Sequence, residues 1–518
     1  MVTATRQPSA AHLRVAAYYL KKLGDINHLF SRGGENATYS LQILDQEWEQ
    51  IRRWRNWAVA NADADPQIGQ MAAAFPRAGH VILNLRLSNQ DFLEWHQTGF
   101  DCAARGHNAA FRLDDLLNLA YACLQIYDNE AVNTYVRMAL KAYDPENNYD
   151  KARVYRFIGL AEQRQGQVEQ ARDYLEQSLV LYRAYGDRSH VANLNYELSS
   201  LAGMSGDFAR AREHVTRALP FYRQSGDFFR AGKCLNNLGL IEFYEGHLDL
   251  AEAYLRESLA LAEQLNYLSN ISQALTNLSA VAHARGDYDQ VEAYETRSLA
   301  LSQEIGDRYG VAMSQNNLGK VALIRSQLDV AETYFRAALA LFEQMNDRFS
   351  MVECLTDAGH CALQRQDDAG AERLYQEGAA IATAVSHQPG LIDLLRALVK
   401  LYVKQRRLAE ADECLQQMCG LALHMKSLPY QVKVVASAVR LLFAQRPENS
   451  TTAIRWLGLA YSHQAAEPRI QQELDDLRAL FADVMGAAEI QMLLQEGTAL
   501  TLEGVLTELI TQFKPAAG

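Results

Sequence analysis

The sequence predicts an all-α fold, a solenoid of antiparallel helix pairs closed by a helical cap at each end. Three observations carry this. A period of forty residues runs through the chain, the apolar spacing inside each unit is helical, and turn-forming residues recur where helices must be joined.

The period shows first in a small-residue column: Ala131, Ala171, Ala211, Ala251, Val291, Ala331, Ala371 and Ala411. Eight positions on, Ala139, Leu179, Leu219, Leu259, Leu299, Leu339, Ala379 and Cys419 form a second column. Thirteen residues before the alanine lie Ile158, Leu198, Leu238, Leu278, Leu318 and Ala358. Within a unit, Leu235, Leu238 and Ile241, then Ala251, Leu255 and Leu259, fall on one stripe of each of two helices. The small column predicts a close helix crossing, where only a side chain near alanine's size lets two backbones approach.

The turns are specified chemically. Gly166, Gly206, Gly246 and Gly286 are placed between paired helices, and Gly186, Gly226, Gly306 and Asn346 between units. Glycine and asparagine take the left-handed conformation that ends a helix. The aspartates that follow at 187, 207, 227, 287, 307 and 347 are expected to cap the next one. Pro220 falls inside a second helix, and Pro389 and Pro429 at unit boundaries, where a kink or altered stacking is expected.

This divides the chain into an N-terminal helical cap at 1–110, eight forty-residue units at 111–430 that are strongest over 151–350, and a C-terminal helical cap at 431–518. Asp65-Pro66 and Phe75-Pro76 are expected to make 61–87 irregular, leading into a helix capped by Ser88. A strand from His80 would lack a partner strand. Trp48, Trp54, Trp57 and Trp95 concentrate in this first cap, which is expected to seal the apolar end of the array.

Composition agrees with a helical array. With 49% apolar and 22% charged residues the chain can bury a large core. Its 30 glycines and 10 prolines in 518 residues leave little for linkers, so length measures repeats rather than domains. A formal charge of −12 disfavours nucleic acid and anionic membrane as partners. Seven scattered cysteines, a polar start and no long apolar run point to a cytoplasmic protein without a membrane span.

Units such as CLNNLGLIEFYEGHLDLAEAYLRESLALAEQLN and SQNNLGKVALIRSQLDVAETYFRAALALFEQMNDR resemble the tetratricopeptide repeat. They are similar to its longer forty-residue form in kinesin light chain and the spindle-orientation adaptors. Residues 12–60, with Tyr18, Tyr19, Leu20, Leu44, Glu47, Ile51, Arg52 and Trp57, resemble the segment joining the NTPase module of bacterial STAND-type ATPases and large transcriptional regulators to their repeat arrays. Gln50 stands where that family usually has asparagine. Residues 454–510 resemble the end of the same arrays, opening at Trp456, Leu457 and Gly458 and closing at Gly497, Leu500, Thr501, Leu502 and Glu503. The resemblance implies a right-handed superhelix with a concave groove lined by the first helix of each pair. No G-x-x-x-x-G-K-[ST] motif is present, since Gly319-Lys320 is followed by Val321, so the NTPase module is lacking.

Groove positions implied by the resemblance are Tyr196, Glu197, Asn236, Asn237, Thr276, Asn277, Asn316, Asn317, Thr356 and Asp357, with Tyr244, His283, Lys320 and His360 farther along the same helices. Asparagine is a mediocre helix former, so its recurrence needs a reason; its amide suits the backbone of an extended peptide, or bonds to neighbouring helices. Lys320 stands alone in this reading, and acidic Glu197 and Asp357 favour a partner segment of mixed or positive charge. Cys354, His360 and Cys361 are expected to be two core thiols and a groove histidine rather than a metal site. The expected function is therefore a non-enzymatic scaffold or sensor of bacterial signalling, without cofactor or metal, that binds a protein or peptide partner and regulates a separate effector. The alternatives are a regulator or inhibitor of a separately encoded protease or NTPase that makes contact through its end caps, and an enzyme with an unrecognised site.

Overall fold

The computed structural model describes residues 9–105, 113–425, 427–445, 450–463, 468–482 and 484–512. The polar start before Ser9 and the expected junction of cap and first repeat at 110–111 lie outside them. Among the described residues there are 26 helices and no strand. The chain divides into two compact units, Met1–Leu318 and Gly319–Gly518.

The first unit begins with α1 (Ala10–Phe30), α2 (Glu35–Ala60), α3 (Pro66–Ala78), α4 (His80–Arg86) and α5 (Asn89–Arg105). Paired helices follow: α6 (Leu113–Gln125) with α7 (Asn129–Ala142), α8 (Asn148–Arg164) with α9 (Val168–Tyr185), and α10 (Arg188–Met204) with α11 (Phe208–Ser225). Then come α12 (Phe228–Tyr244) with α13 (Leu248–Gln264) and α14 (Leu268–Ala284) with α15 (Tyr288–Ile305), and the division falls inside α16 (Arg308–Ile324). The second unit continues with α17 (Leu328–Gln344), α18 (Arg348–Gln364), α19 (Asp368–Ala384), α20 (Gln388–Lys404) and α21 (Leu408–Met425). It closes with α22 (Leu428–Gln445), α23 (Ser450–Ser462), α24 (Pro468–Phe481), α25 (Ala487–Gly497) and α26 (Leu502–Gln512), packed into one core with α20 and α21.

Turn chemistry explains the regularity. Every twentieth residue from 166 to 406 has a positive φ, glycine at seven of these positions and Asn266, Ser326, Asn346, Gln366, Ser386 and Arg406 at the rest. The left-handed conformation costs a non-glycine residue roughly 1–2 kcal/mol, and packing of the flanking helices overrides that preference. The six aspartates expected as caps all accept a backbone N–H three residues on, as Asp187 does from His190 and Asp307 from Gly310. Helix α11 continues through Pro220, while Pro389 and Pro429 sit in first turns, where the missing N–H has no partner to lose.

The alanine column is buried as its size requires, at 0–1% exposure from Ala171 to Ala411. Opposite it runs a glycine column: a Cβ on Gly239 would stand 2.6 Å from Leu255 Cγ and 3.2 Å from the Ala251 carbonyl. In the second unit, Gly319 and Gly359 leave the same room for Phe335 and Tyr375. At the closing helices α23 and α25 cross through Gly458 and Gly497, where any Cβ would fall 2.0–2.1 Å from a backbone oxygen.

The segment expected to be irregular at 61–87 is helical. Asp65 caps α3 by accepting the Gln67 N–H at 2.7 Å, Pro66 opens it, and Pro76 lies within its last turn. The His80 stretch is α4, and Ser88 caps α5 through the Asp91 N–H as expected. Helices α1 to α5 share a buried cluster with Phe229, Leu265 and Tyr267 of the repeats, so this cap reaches well beyond an end repeat. Its α1–α2 turn is bonded to the α11–α12 turn, Gly34 N–H to Gly226 carbonyl at 2.9 Å.

Inside that region His80 Nδ1 and His96 Nε2 are 3.4 Å apart, packed among Phe92 and Tyr121. Burial, with Arg230 and Arg156 adding repulsion, lowers His80 to about 4; burial, His80 and Arg77 hold His96 well below the ordinary value. Both folded pKa values are depressed, so this stabilisation is full above the unfolded value near 6.5 and is lost as pH falls toward 4. Amide exchange in α4 and α5 should therefore quicken relative to α12 to α15 over that window; an unchanged ratio down to pH 4 contradicts it.

Candidate partner-binding groove

In the first unit the first helices α8, α10, α12, α14 and α16 present Arg156, Tyr196, Asn236, Thr276 and Asn316 in one column. The next column is Phe157, Glu197, Asn237, Asn277 and Asn317. Side chains bridge consecutive helices along these columns. Arg156 Nε donates to both oxygens of Glu197 at 2.8 and 3.0 Å, Asn237 Nδ2 donates to Ser200 Oγ at 2.9 Å, and Asn277 Nδ2 donates to Asn236 Oδ1 at 2.8 Å. Tyr196, half-buried beside Ser200, has its phenol pushed up by burial.

The row is not uniform. Thr276 Oγ1 turns to Ser298 at 3.0 Å, on the second helix of its own repeat, and Asn317 Nδ2 turns to the fully buried Glu295 at 2.8 Å, on the second helix of the preceding repeat. Asn316, at 2% exposure, holds its Oδ1 without a hydrogen-bond partner, next to the similar Gln315 Oε1. Tyr244 is 62% exposed at the end of α12 and stacks flat on Phe208, 5.3 Å between centroids, while His283 meets the edge of Tyr288. These two rings mark the edge of the within-pair turns rather than the middle of the face.

In the second unit Lys320 Nζ lies 3.3 Å from Asp357, Thr356 Oγ1 bonds its own helix at the Val352 carbonyl, and exposed His360 packs against Tyr375. Cys354 and Cys361 are buried and donate to the carbonyls of Phe335 and Leu328, away from His360. The acidic flanks expected to attract a positive segment are thus neutralised internally, Glu197 by Arg156 and Asp357 by Lys320, and that charge preference loses its basis. Lys320 is also not alone: its column continues as His360, Lys400 and Arg440.

Sequence reasoning missed Arg156, Arg230 and Lys233. Arg156 was findable, since it stands one period before Tyr196. Arg230 pairs with Asp227 at 2.6 Å, and Lys233 lies 4.8 Å over the Phe229 ring. Burial, reinforced by Arg230 and opposed by Glu197 and Asp227, lowers the Lys233 amine to about 8. One group of metal-ligand type occurs among the described residues, Glu242, Glu245 and His247, and Arg212 already pairs with both carboxylates. No described helix is long and apolar enough to cross a membrane.

The family model of the tetratricopeptide repeat matches residues 150–224, 231–304 and 270–344. No curated protein matches the chain. Among solved structures, the chain is similar to a signal transduction ATPase with numerous domains that carries a tetratricopeptide repeat sensor, from Pyrococcus horikoshii. Identity is 14% over 82% of this chain and 74% of that one, with a TM-score of 0.48. The apo quorum sensor NprR from B. thuringiensis is 15% identical over 66% of this chain and 96% of its own, TM-score 0.48. A Rap protein in complex with competence and sporulation factor is 13% identical over 78% and 98%, TM-score 0.44.

Proposed function

Starting from a chain in which residues 150–224 and 231–344 are tetratricopeptide repeats, we propose that it is a non-enzymatic interaction scaffold of the cytoplasm. It binds an extended partner polypeptide along α10, α12 and α14 and passes that occupancy to a separate effector in bacterial-type signalling. The observation that carries this reading is the pair of amide bridges, Asn237 to Ser200 and Asn277 to Asn236, linking consecutive first helices. An amide has two donor and two acceptor sites, so a single bond orients it without exhausting it. Two oriented amides at forty-residue spacing match a backbone laid across successive repeats, because the peptide group offers the complementary donor and acceptor whatever its side chains. The chemistry requires no metal or cofactor.

The test is selection of a phage-displayed random decapeptide library on the full chain, followed by titration of the enriched peptide. Asn237→Ala/Asn277→Ala is expected to weaken it by about ten-fold, roughly 1.4 kcal/mol for two neutral hydrogen bonds, with the melting temperature retained. Binding unchanged in a fully folded double variant contradicts the proposal. Asn317 is left intact because it donates to Glu295, which is fully buried.

A further inference from the structure

One repeat of the first unit departs from the core chemistry of the others. In the second helices a fully buried column reads Leu175, Val215, Leu255, Glu295, Phe335 and Tyr375, so α15 puts a carboxylate where the others put an apolar side chain. The facing column on the first helices changes with it. Gly159, Gly239, Gly319 and Gly359 leave room for Leu175, Leu255, Phe335 and Tyr375, while serine stands at 199, level with the smaller Val215, and at 279, level with Glu295. A second buried column has Ser302 where α9, α11 and α17 carry Tyr182, Tyr222 and Phe342.

The hydroxyls of this repeat bond to one another. Ser272 Oγ lies 2.8 Å from both Ser298 Oγ and Ser302 Oγ, and Ser298 Oγ is 3.0 Å from Thr276 and 3.1 Å from Ser314. The chain of hydroxyls joins α14, α15 and α16 through the core. Gln315 Oε1 and Asn316 Oδ1 beside it are buried without a hydrogen-bond partner. Bonds between hydroxyls replace bonds to water and add little net stability, so this core lacks the apolar burial that holds the adjacent repeats. The apolar clusters of α13 to α15 are correspondingly small: Ala251, Leu255, Leu278 and Val281 in one, Ala262, Ile271 and Leu275 in the other. A segment with little buried apolar area opens more readily than its surroundings.

A contact outside the repeat pattern spans the same place. Repeats of a solenoid touch their neighbours in sequence. Yet Tyr127, in the turn between α6 and α7, stacks on Tyr309 of α16, 5.0 Å between centroids and 25° between planes, although α8 to α15 lie between them in the chain. The Arg164 guanidinium lies 4.5 Å from the centre of the Tyr127 ring and adds to the stack. We infer that the α14–α15 repeat is a hinge of the first unit and that the Tyr127–Tyr309 stack is the clasp that holds it closed. Bending at the hinge carries α16, and Tyr309 with it, away from Tyr127. Helix α14 also carries Asn277, bonded to Asn236, so the clasp sets that spacing; only this consequence rests on the groove reading.

Hydrogen exchange and spin-label distances on the full chain test the hinge without any ligand, so a failure of the peptide groove leaves the result standing. In the unaltered chain α14 and α15 should exchange about ten-fold faster than α12 and α13. Tyr127→Ala should speed α14 and α15 by about a further five-fold and leave α10 and α11 unchanged. Ser279→Gly/Glu295→Leu, which installs the Gly239–Leu255 pairing, should slow them by at least about ten-fold. Labels at the exposed Asn129 and Glu304 should report one distance in the unaltered chain and a second, longer one in Tyr127→Ala. Adding Ser279→Gly/Glu295→Leu to Tyr127→Ala should remove the longer distance. Exchange in α14 and α15 no faster than in α12 and α13, or either readout unaltered in Tyr127→Ala, overturns the inference. Should Ser279→Gly/Glu295→Leu fail to fold, Tyr127→Ala still decides, because Tyr127 lies outside the repeat whose exchange it changes.

Discussion

Substituting Glu197 by alanine should destabilise the α8–α10 region by about 3 kcal/mol, while replacing Arg156 and Glu197 together by methionine should be close to neutral. The asymmetry follows from the geometry. Arg156 makes a forked contact with Glu197, two bonds from Nε and a third from Nη2 at 2.5 Å, and their side chains are only 20% and 9% exposed. Burial pulls the guanidinium pKa down and the Glu197 carboxylate more than restores it. Removing the acid leaves a cation held over Phe157 without its counter-charge. Removing both ends exchanges a desolvated pair for apolar volume. Native-state amide exchange reads the result: α8 and α10 should open about a hundred-fold more readily in Glu197→Ala, since every 1.4 kcal/mol is tenfold. Equal exchange in the single and double variants would show that the pair does not hold these helices together.

Gly33→Ala should have a comparable or larger effect, about 3 kcal/mol or more, confined to the docking of α1 to α5. Two penalties act together. Gly33 has φ +69°, which strains any L side chain by roughly 1–2 kcal/mol. Its added Cβ would also lie 2.4 Å from the Gly226 oxygen and 2.5 Å from that of Ser225, backbone atoms that cannot swing aside. The turns must separate, and the Gly34 to Gly226 hydrogen bond goes with them. Gly186→Ala is the control, because Gly186 has φ +71° with open space around it and should show the strain alone. Limited proteolysis between α1 and α2 should accelerate strongly in Gly33→Ala and little in Gly186→Ala. Equal rates would mean that the close turn contact does not fasten the N-terminal helices.

How far the sequence could be read depended on whether the signal was periodic. Helix pairs, aspartate caps and glycine turns were legible because each is a local chemical requirement repeated at a fixed interval. Ser326, Gln366 and Arg406 take the left-handed conformation without a residue that advertises it, and only the period reveals them. Residues 61–87 are ambiguous because Asp-Pro interrupts a helix yet equally reads as an N-cap followed by the first helical residue, as at Asp65-Pro66. In the groove the columns follow from the period, but the partners of the amides are not legible in the sequence. Asn237 meets Ser200, 37 positions away on the preceding first helix, whereas Asn317 turns to Glu295, 22 positions away on the preceding second helix. Such choices depend on side-chain direction. Arg156, Lys400 and Arg440 could have been found by extending the same columns one or two periods outward.

The most direct test of the central claim is photo-crosslinking of the selected decapeptide, carrying a benzophenone at its middle residue, to the full chain, with the attachment sites mapped by mass spectrometry. Binding in the amide-bridged groove predicts attachment within α10, α12 and α14, lost together with affinity in Asn237→Ala/Asn277→Ala. Attachment confined to α1 to α5 or to α22 to α26 would contradict it and place the contact on the end helices instead.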